Sequence, residues 1–102
     1  MERVIEALEN LGISRSSAEL YVILSKRGPQ NEKYLKNSLK IPIKKLRDNL
    51  RNLEKKGIIK KSNEQPTQFF ALTFEKAIDL LVKININEMK TIKQKRKNLL
   101  IP

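Results

Sequence analysis

The sequence predicts a mainly α-helical α+β domain followed by one long C-terminal helix. Apolar residues recur at helical spacing along most of the chain, and the period changes to that of β-strands only within residues 58–72. The 102 residues are 39% hydrophobic and 5% aromatic, which suits one helical core better than a β-sandwich or barrel. We therefore expect a domain over residues 1–72 and an appended helix over residues 73–102.

Four helices are predicted before the β-type segment. The first ends before Gly12, a suitable C′ residue, and Ser14 is a suitable N-cap for the second. The second helix is apolar on most sides and should be buried. Asn31 can cap a short third helix, and after a tight turn Pro42 suits the first position of a fourth helix that ends at Gly57.

A hairpin and a last helix complete the predicted elements. Residues 58–61 and 68–72 are short β-type runs separated by a turn-rich segment that contains Pro66. Thr73 can cap a last helix that runs to about residue 100. The order helix, helix, short helix, tight turn, helix and hairpin is that of a winged helix-turn-helix domain.

The positive charge is concentrated in two segments of the chain. The net charge is +11, and residues 26–61 hold thirteen cations and three acids, whereas residues 90–102 hold five cations and no acid. A run of charge is often only a solvated surface. Here it coincides with the predicted recognition helix, residues 42–56, and the predicted wing, residues 58–72. This coincidence favours double-stranded DNA as the partner.

Composition excludes several kinds of site. The chain has no cysteine and no histidine, which removes disulfides, thiolate and imidazole metal sites, cysteine nucleophiles and Ser-His-Asp triads. Its glycines form no phosphate-binding loop, and no two acids are placed to share general acid and base roles. We therefore expect no enzymatic activity, no cofactor, no metal and no small-molecule ligand.

The same composition bears on where the protein acts. No apolar run approaches the roughly 20 residues needed to cross a bilayer. The N-terminal segment MERVIEALEN has acids where a signal peptide needs an uninterrupted apolar stretch. We expect a cytoplasmic, nucleoid-associated protein with no membrane partner.

The sequence also resembles a known family. The segments LGISRSSAELYVILSKRGP, LRDNLRNLEKKGIIKK and PTQFFALTFEKAIDLL resemble the N-terminal DNA-binding domain of TrmB-type transcriptional regulators, best known from archaea. The likeness covers about residues 5–82 without an obvious gap. It implies a winged helix-turn-helix domain that binds DNA.

Three departures from the family pattern limit what the resemblance implies. Larger members carry a long C-terminal sugar-binding part and this chain stops at Pro102, so we do not expect sugar sensing. Lys40 lies in a turn where the family often has Gly, and this should strain the turn. Arg47 replaces a usual aromatic residue and Ile43 a frequent Arg, so no known operator sequence is carried over.

The predicted recognition helix has one apolar face and one basic face. Its N-terminal half should enter the major groove, with Lys44, Arg47 and Arg51 as the leading groove contacts, because the two donors of an Arg match O6 and N7 of guanine. Asp48 should orient a neighbouring Arg or Lys, and Asn49 is an alternative reader of adenine. The complete set of predicted DNA-binding residues is Lys33, Lys36, Lys40, Ile43, Lys44, Lys45, Arg47, Asp48, Arg51, Lys55, Lys60, Lys61, Gln65 and Gln68.

The last helix is predicted to be a dimerisation element. Its apolar residues alternate at spacings of four and three over about three heptads, and a chain of this size has little else to cover such a stripe. The predicted seam consists of Ile78, Val82, Asn85, Met89, Ile92 and Leu99. The alternative is a helix that folds back on its own domain. An antiparallel pair would place residues 90–97 opposite Glu75 and Asp79, and we favour it slightly over a parallel pair.

These inferences together predict a homodimeric, DNA-binding transcriptional regulator. A sequence-independent architectural or nucleoid protein is the main alternative, because the same charges and dimer would serve it. A protein-docking module of the transcription machinery is a third, since winged helices also bind proteins. The presence of Arg on the recognition face favours base reading, whereas lysines alone would favour the architectural role.

Overall fold

The computed structural model describes the backbone of residues 2–100 and the side chains of residues 2–89. Within this range five helices flank one antiparallel hairpin. The elements are α1 (Glu2–Asn10), α2 (Arg15–Arg27), α3 (Glu32–Leu39), α4 (Ile43–Lys56), β1 (Ile59–Lys61), β2 (Phe69–Ala71) and α5 (Phe74–Leu100). The predicted mainly α, winged helix-turn-helix fold is confirmed, with a long helix at its C-terminus.

Three predicted capping residues begin the helices assigned to them. Ser14, Asn31 and Thr73 each accept a hydrogen bond from the backbone N–H three residues later, at 3.3, 2.9 and 3.4 Å. These side chains satisfy one of the N–H groups that a helix start leaves without an intrahelical partner. Pro42 differs from its prediction by one position: it is the N-cap of α4, and the helix begins at Ile43.

The turn between α3 and α4 contains a strained residue. Lys40 has φ 54° and ψ 43°, which is the left-handed conformation. A side chain with a Cβ adopts this conformation at a cost of roughly 1–2 kcal/mol, whereas Gly does so freely. The strain predicted from the family pattern is therefore present in the backbone.

The core lies between the helices and under the hairpin. α2 packs against α1, α4 and β2, which explains why it is apolar on most sides. The buried apolar residues of the core are Ile5, Leu8, Ile13, Ala18, Leu20, Tyr21, Val22, Leu24, Leu35, Leu46, Leu50, Leu53, Ile58, Ile59, Phe69, Ala77 and Leu81. The core also includes residues of α1, α3, α4, the hairpin and the start of α5. The elements predicted to bind DNA therefore pack on one close-packed core.

The hairpin is anchored to the helical layer by two contacts that the sequence did not predict. The backbone of Gln30 exchanges two hydrogen bonds with Phe69, at 3.0 and 2.8 Å, and so adds a short third strand position beside β2. The Tyr21 hydroxyl donates to the backbone carbonyl of Leu72 at 2.6 Å. Burial raises the pKa of Tyr21, which keeps the hydroxyl protonated as this donor. These bonds fix the wing relative to α2.

The long helix α5 has two different faces in its described part. Ala77 and Leu81 are buried in the core, and the Asn85 Nδ2 donates to the backbone carbonyl of Leu11 at 3.4 Å. The first turns of α5 therefore fold back on their own domain. Phe74, Val82, Ile86 and Met89 instead lie exposed on α5; we call these four residues the α5 stripe.

The predicted seam overlaps the α5 stripe only in part. Val82 and Met89 are exposed and Ile78 is half-buried against the core. Asn85 differs from the prediction because its side chain bonds Leu11, the residue that follows α1 in its own domain, and Ile86 is exposed in its place. The side chains of Ile92 and Leu99 lie outside the described residues. Among the described residues, none of the helices combines the length and the hydropathy of a membrane-spanning segment.

Candidate nucleic-acid interface

The outer surface of α4 is basic and exposed, whereas its inner surface is apolar and buried. Leu46, Leu50 and Leu53 pack into the core at spacings of four and three. Five exposed residues share the opposite side of the helix, and we call them the recognition face. They are Lys44, Arg47, Asp48, Arg51 and Lys55.

Two of the three acids in the basic segment pair with arginines of this face. Glu32, the first residue of α3, accepts from the Nε of Arg47 at 2.9 Å. Asp48 accepts from the Nη2 of Arg51, three residues further along the same helix, at 3.2 Å. The prediction that Asp48 orients a neighbouring cation agrees with this contact. Each pair is exposed to solvent, so it orients a side chain more than it stabilises the fold.

A cleft separates the recognition face from the wing. It has a volume of about 490 Å³ and is lined by Arg47 and Arg51 from α4 and by Lys61, Asn63 and Gln65 from the hairpin. Glu54, the third acid of the segment, lies in the same cleft with an oxygen 4.0 Å from the Lys61 Nζ. Cations from two elements thus converge on one concave surface, which suits a phosphate backbone.

Most of the other predicted contacts are exposed as well. α3 contributes Lys33 and Lys36, the α3–α4 turn contributes Lys40, and α4 contributes Lys45 on a side adjacent to the recognition face. On the hairpin, Lys60, Lys61, Gln65 and Gln68 are exposed. Of the predicted contacts, the structure brings together in one cleft Arg47, Arg51, Lys61 and Gln65.

Two residues of α4 that were considered for DNA contacts lie toward the core of the domain. Asn49 is 8% exposed, and its Nδ2 donates to the Ser16 Oγ at 3.2 Å, so this side chain ties α4 to α2 and is not placed to read adenine. Ile43 is half-buried and packs against the core. Its contact with DNA stays a prediction, and packing is the role that the structure gives it.

Glu32 is a residue of this site that the sequence did not single out. It stands 15 positions before Arg47 and looks like an isolated acid in a basic segment. Only the packing of α3 against α4 brings the two side chains together. An acid in the first turn of a helix is also favoured by the helix dipole. That local effect is sufficient to explain Glu32 in the sequence, so its contact with Arg47 could not be inferred.

The surface of α1 and α2 has the opposite character. Arg15 lies 3.0, 3.3 and 3.4 Å from carboxylate oxygens of Glu2, Glu9 and Glu19. The hydrogen bond from Arg15 lowers the pKa of Glu2, and the same bond raises the pKa of Arg15. Arg15 is thus shared by three acids, and the surface immediately around it carries no excess of positive charge.

Comparison with known proteins identifies related chains. A family model described as the sugar-specific transcriptional regulator TrmB matches residues 8–75. No curated protein matches the chain. Among solved structures, that of TrmBL2, an archaeal chromatin protein, is similar with a TM-score of 0.76 and 22% identity, covering 98% of this chain and 40% of that one. This chain thus spans less than half the length of TrmBL2.

Two further structures share the fold. A possible transcriptional regulator from Methanosarcina mazei Go1 has a TM-score of 0.64 and 14% identity, covering 91% of this chain and 85% of that one. MepR of Staphylococcus aureus, in complex with DNA, has a TM-score of 0.60 and 20% identity, covering 92% of this chain and 81% of that one. Because the family model covers more than half of the chain and the fold agrees with it, the chain belongs to the TrmB family of transcriptional regulators.

Proposed function

We propose that this chain is a homodimeric transcriptional regulator that binds double-stranded DNA through α4 and the hairpin wing. One observation carries the proposal: α4 exposes a row of charged side chains on one side, whereas the leucines on its opposite side are buried. The recognition face also continues across the cleft into exposed cations of the wing. A surface of this shape and sign fits a duplex, whose major groove admits one α-helix.

The proposed contacts divide into two classes. Arg47 and Arg51 read base edges in the major groove, since arginine presents two parallel donors to guanine. Lys33, Lys36 and Lys45 bind phosphates, which fix the register of the protein on DNA without reading sequence. The wing, with Lys60, Lys61, Gln65 and Gln68, lies on the backbone or in the minor groove.

The dimer of this proposal forms through α5. The α5 stripe offers exposed apolar side chains at spacings of eight, four and three, and Ile78 at the edge of the core adds a half-buried neighbour. A helix of 27 residues spans about 40 Å at 1.5 Å per residue. That length suffices to hold two winged domains over half-sites one duplex turn apart, about 34–36 Å.

Charge favours the antiparallel form of this helix pair. Glu75 and Asp79 are exposed near the start of α5, and residues 90–102 carry five cations and no acid. An antiparallel arrangement brings these opposite charges together across the pair, whereas a parallel one stacks the two basic segments on each other. Orientation of this kind is commonly set by flanking charges in coiled coils.

Selection from a random pool of duplex DNA tests the proposed function. The expected result is an enriched inverted repeat whose half-sites are about 10 base pairs apart, because a two-fold protein dimer reads a two-fold site. Enrichment of a single unrepeated site would contradict the dimer. Tight binding without any enriched sequence would contradict the regulator and leave DNA binding intact.

A second candidate function is that of an architectural, largely sequence-independent DNA-binding protein. The observation that favours it is the similarity to TrmBL2, an archaeal chromatin protein, over 98% of this chain. Phosphate contacts alone would serve such a role, and the affinity would then be nearly the same for all sequences. The selection experiment separates the two functions.

A further inference from the structure

We infer that Glu32 is a positioning residue for sequence reading: its carboxylate holds the Arg47 side chain so that both terminal guanidinium nitrogens face the DNA together. This inference rests on the proposed function. It assigns a role to an acid that lies in the middle of a surface built to attract a polyanion, where it opposes binding through its charge.

The geometry of the contact is suited to that role. Glu32 bonds Arg47 through Nε, at 2.9 Å, which lies at the side of the guanidinium group. The two terminal nitrogens are the pair of donors that reaches O6 and N7 of one guanine end-on. A carboxylate bonded at Nε can therefore orient the guanidinium plane for a base that is contacted through the terminal nitrogens.

Arg51 provides the contrast on the same face. Its bond to Asp48 uses the terminal Nη2, at 3.2 Å, and its side chain is 75% exposed against 58% for Arg47. Asp48 is also on the same helix, so the pair does not tie Arg51 to a second element. Arg47 is the arginine that is held between α3 and α4, and its bond to Glu32 is made at Nε and not at a terminal nitrogen.

The contact lowers the entropic cost of binding. A free arginine side chain has many rotamers, and ordering it on DNA consumes part of the energy of the base contact. Glu32 itself is only 36% exposed and stands at the start of α3, where Asn31 caps the helix. The backbone of Glu32 is therefore fixed at the start of α3, and the bond between the two side chains pre-orders Arg47 before DNA arrives.

The inference makes a prediction with two opposite signs. Glu32→Gln removes a negative charge near the phosphates, so affinity for random DNA should rise by about 2- to 5-fold. It also releases Arg47, so the ratio of affinities for the selected site and for random DNA should fall by about 3- to 10-fold, a part of the roughly 5- to 150-fold that one bidentate pair provides. An acid that acted by charge alone would raise both affinities equally.

Matched variants complete the test, with the dissociation constants of the full chain measured on the selected duplex and on random duplex. Glu54→Gln removes another acid from the same cleft and should raise both affinities while leaving their ratio unchanged. Arg47→Ala should lower the ratio more than Glu32→Gln does, and adding Glu32→Gln to it should lower the ratio no further, because the acid then has nothing to position. Thermal melting of each variant checks that it is folded.

Replacing single guanines of the selected duplex by 7-deazaguanine, which lacks the N7 acceptor, locates the contact. At the position that Arg47 reads, the wild-type protein should lose several-fold more affinity than Glu32→Gln does. An unchanged ratio in Glu32→Gln, while the wild type discriminates, overturns the positioning role and leaves the proposed function intact. A wild type that enriches no sequence overturns both.

Discussion

Two surfaces of this small domain use arginine in opposite ways. On α1 and α2, Arg15 is shared by three glutamates, whereas on the recognition face Arg47 and Arg51 have one carboxylate each. Lys44 and Lys55 of the same face pair with no acid among residues 2–89. The first arrangement consumes the cation within the protein, and the second leaves most of the positive charge for a partner. We therefore expect local pairing, more than the net charge of +11, to decide which side of the molecule attracts a polyanion.

Charge reversal on the recognition face should lower the affinity for DNA more than any other change, whereas the same reversal elsewhere should have little effect. The double variant Arg47→Glu and Arg51→Glu should lose at least about 100-fold in affinity for duplex DNA, because two groove contacts are replaced by repulsion. Arg3→Glu with Lys83→Glu changes the net charge equally at exposed positions on α1 and α5. That control should lose less than about 5-fold in a gel-shift or anisotropy titration. Equal losses would show that only net charge matters.

The next largest effect concerns the exposed apolar surface of α5, which is separate from the two charged surfaces. Val82→Asp with Ile86→Asp places charges in the α5 stripe, where burial in a helix pair would be costly. The variant should sediment as a monomer and bind a two-half-site duplex about 10- to 100-fold more weakly, because the avidity of linked sites is lost. Lys83→Asp adds an acid at the exposed position between them and should remain dimeric. A dimeric double variant would move the interface away from α5.

The wing can bind DNA together with α4 only if the hairpin is held against the helices. The third prediction concerns one of the bonds that hold it. Tyr21→Phe keeps the buried ring but removes the bond to the Leu72 carbonyl, so the free energy of unfolding should fall by about 1–2 kcal/mol. Urea denaturation measures the loss. A value unchanged within error would mean that the hydroxyl does not tether the wing.

The same residue predicts a pH dependence. The pKa of Tyr21 is raised by burial. Its contribution to the free energy of unfolding is therefore fully present below the ordinary pKa of 10.0 and is lost as pH rises through the higher folded value. The difference in free energy of unfolding between wild type and Tyr21→Phe should shrink above about pH 10. A constant difference across this range would contradict the assignment of the shift to the folded state.

A smaller effect is expected at Lys40, where fold and function make opposite demands. Lys40→Gly should raise the free energy of unfolding by about 0.5–1 kcal/mol, because Gly relieves the left-handed strain but has a more flexible unfolded chain. It should also weaken DNA binding by a few fold, since one phosphate contact is lost. Lys40→Ala is the matched control: it removes the same charge but keeps the Cβ, so it should lose affinity without gaining stability.

Local sequence signals predicted the elements of this fold well. Ser14, Asn31 and Thr73 cap the helices assigned to them because a capping hydroxyl or amide needs only the N–H three residues ahead. The left-handed backbone at Lys40 was also foreseeable, since the turn there is short and the family often places Gly in it.

Tertiary contacts explain what the sequence could not predict. Glu32 meets Arg47, and Gln30 meets Phe69, only after α3 and the hairpin have packed on the core. Asn49 and Asn85 are polar residues whose helical position borders two faces, and a partner on a neighbouring helix decides which face they join. Periodicity identifies the face of a helix, but the partners across it come from the fold.

The salt dependence of DNA binding tests most directly the claim that the recognition face and wing together form a DNA-binding surface. If a dimer neutralises roughly 8–12 phosphates, a plot of log K against log salt concentration should have a slope of about −7 to −11. Lys45→Ala should make the slope shallower by about 2, because each protomer loses one phosphate contact. Binding that is indifferent to salt, or a slope that Lys45→Ala leaves unchanged, would contradict the account.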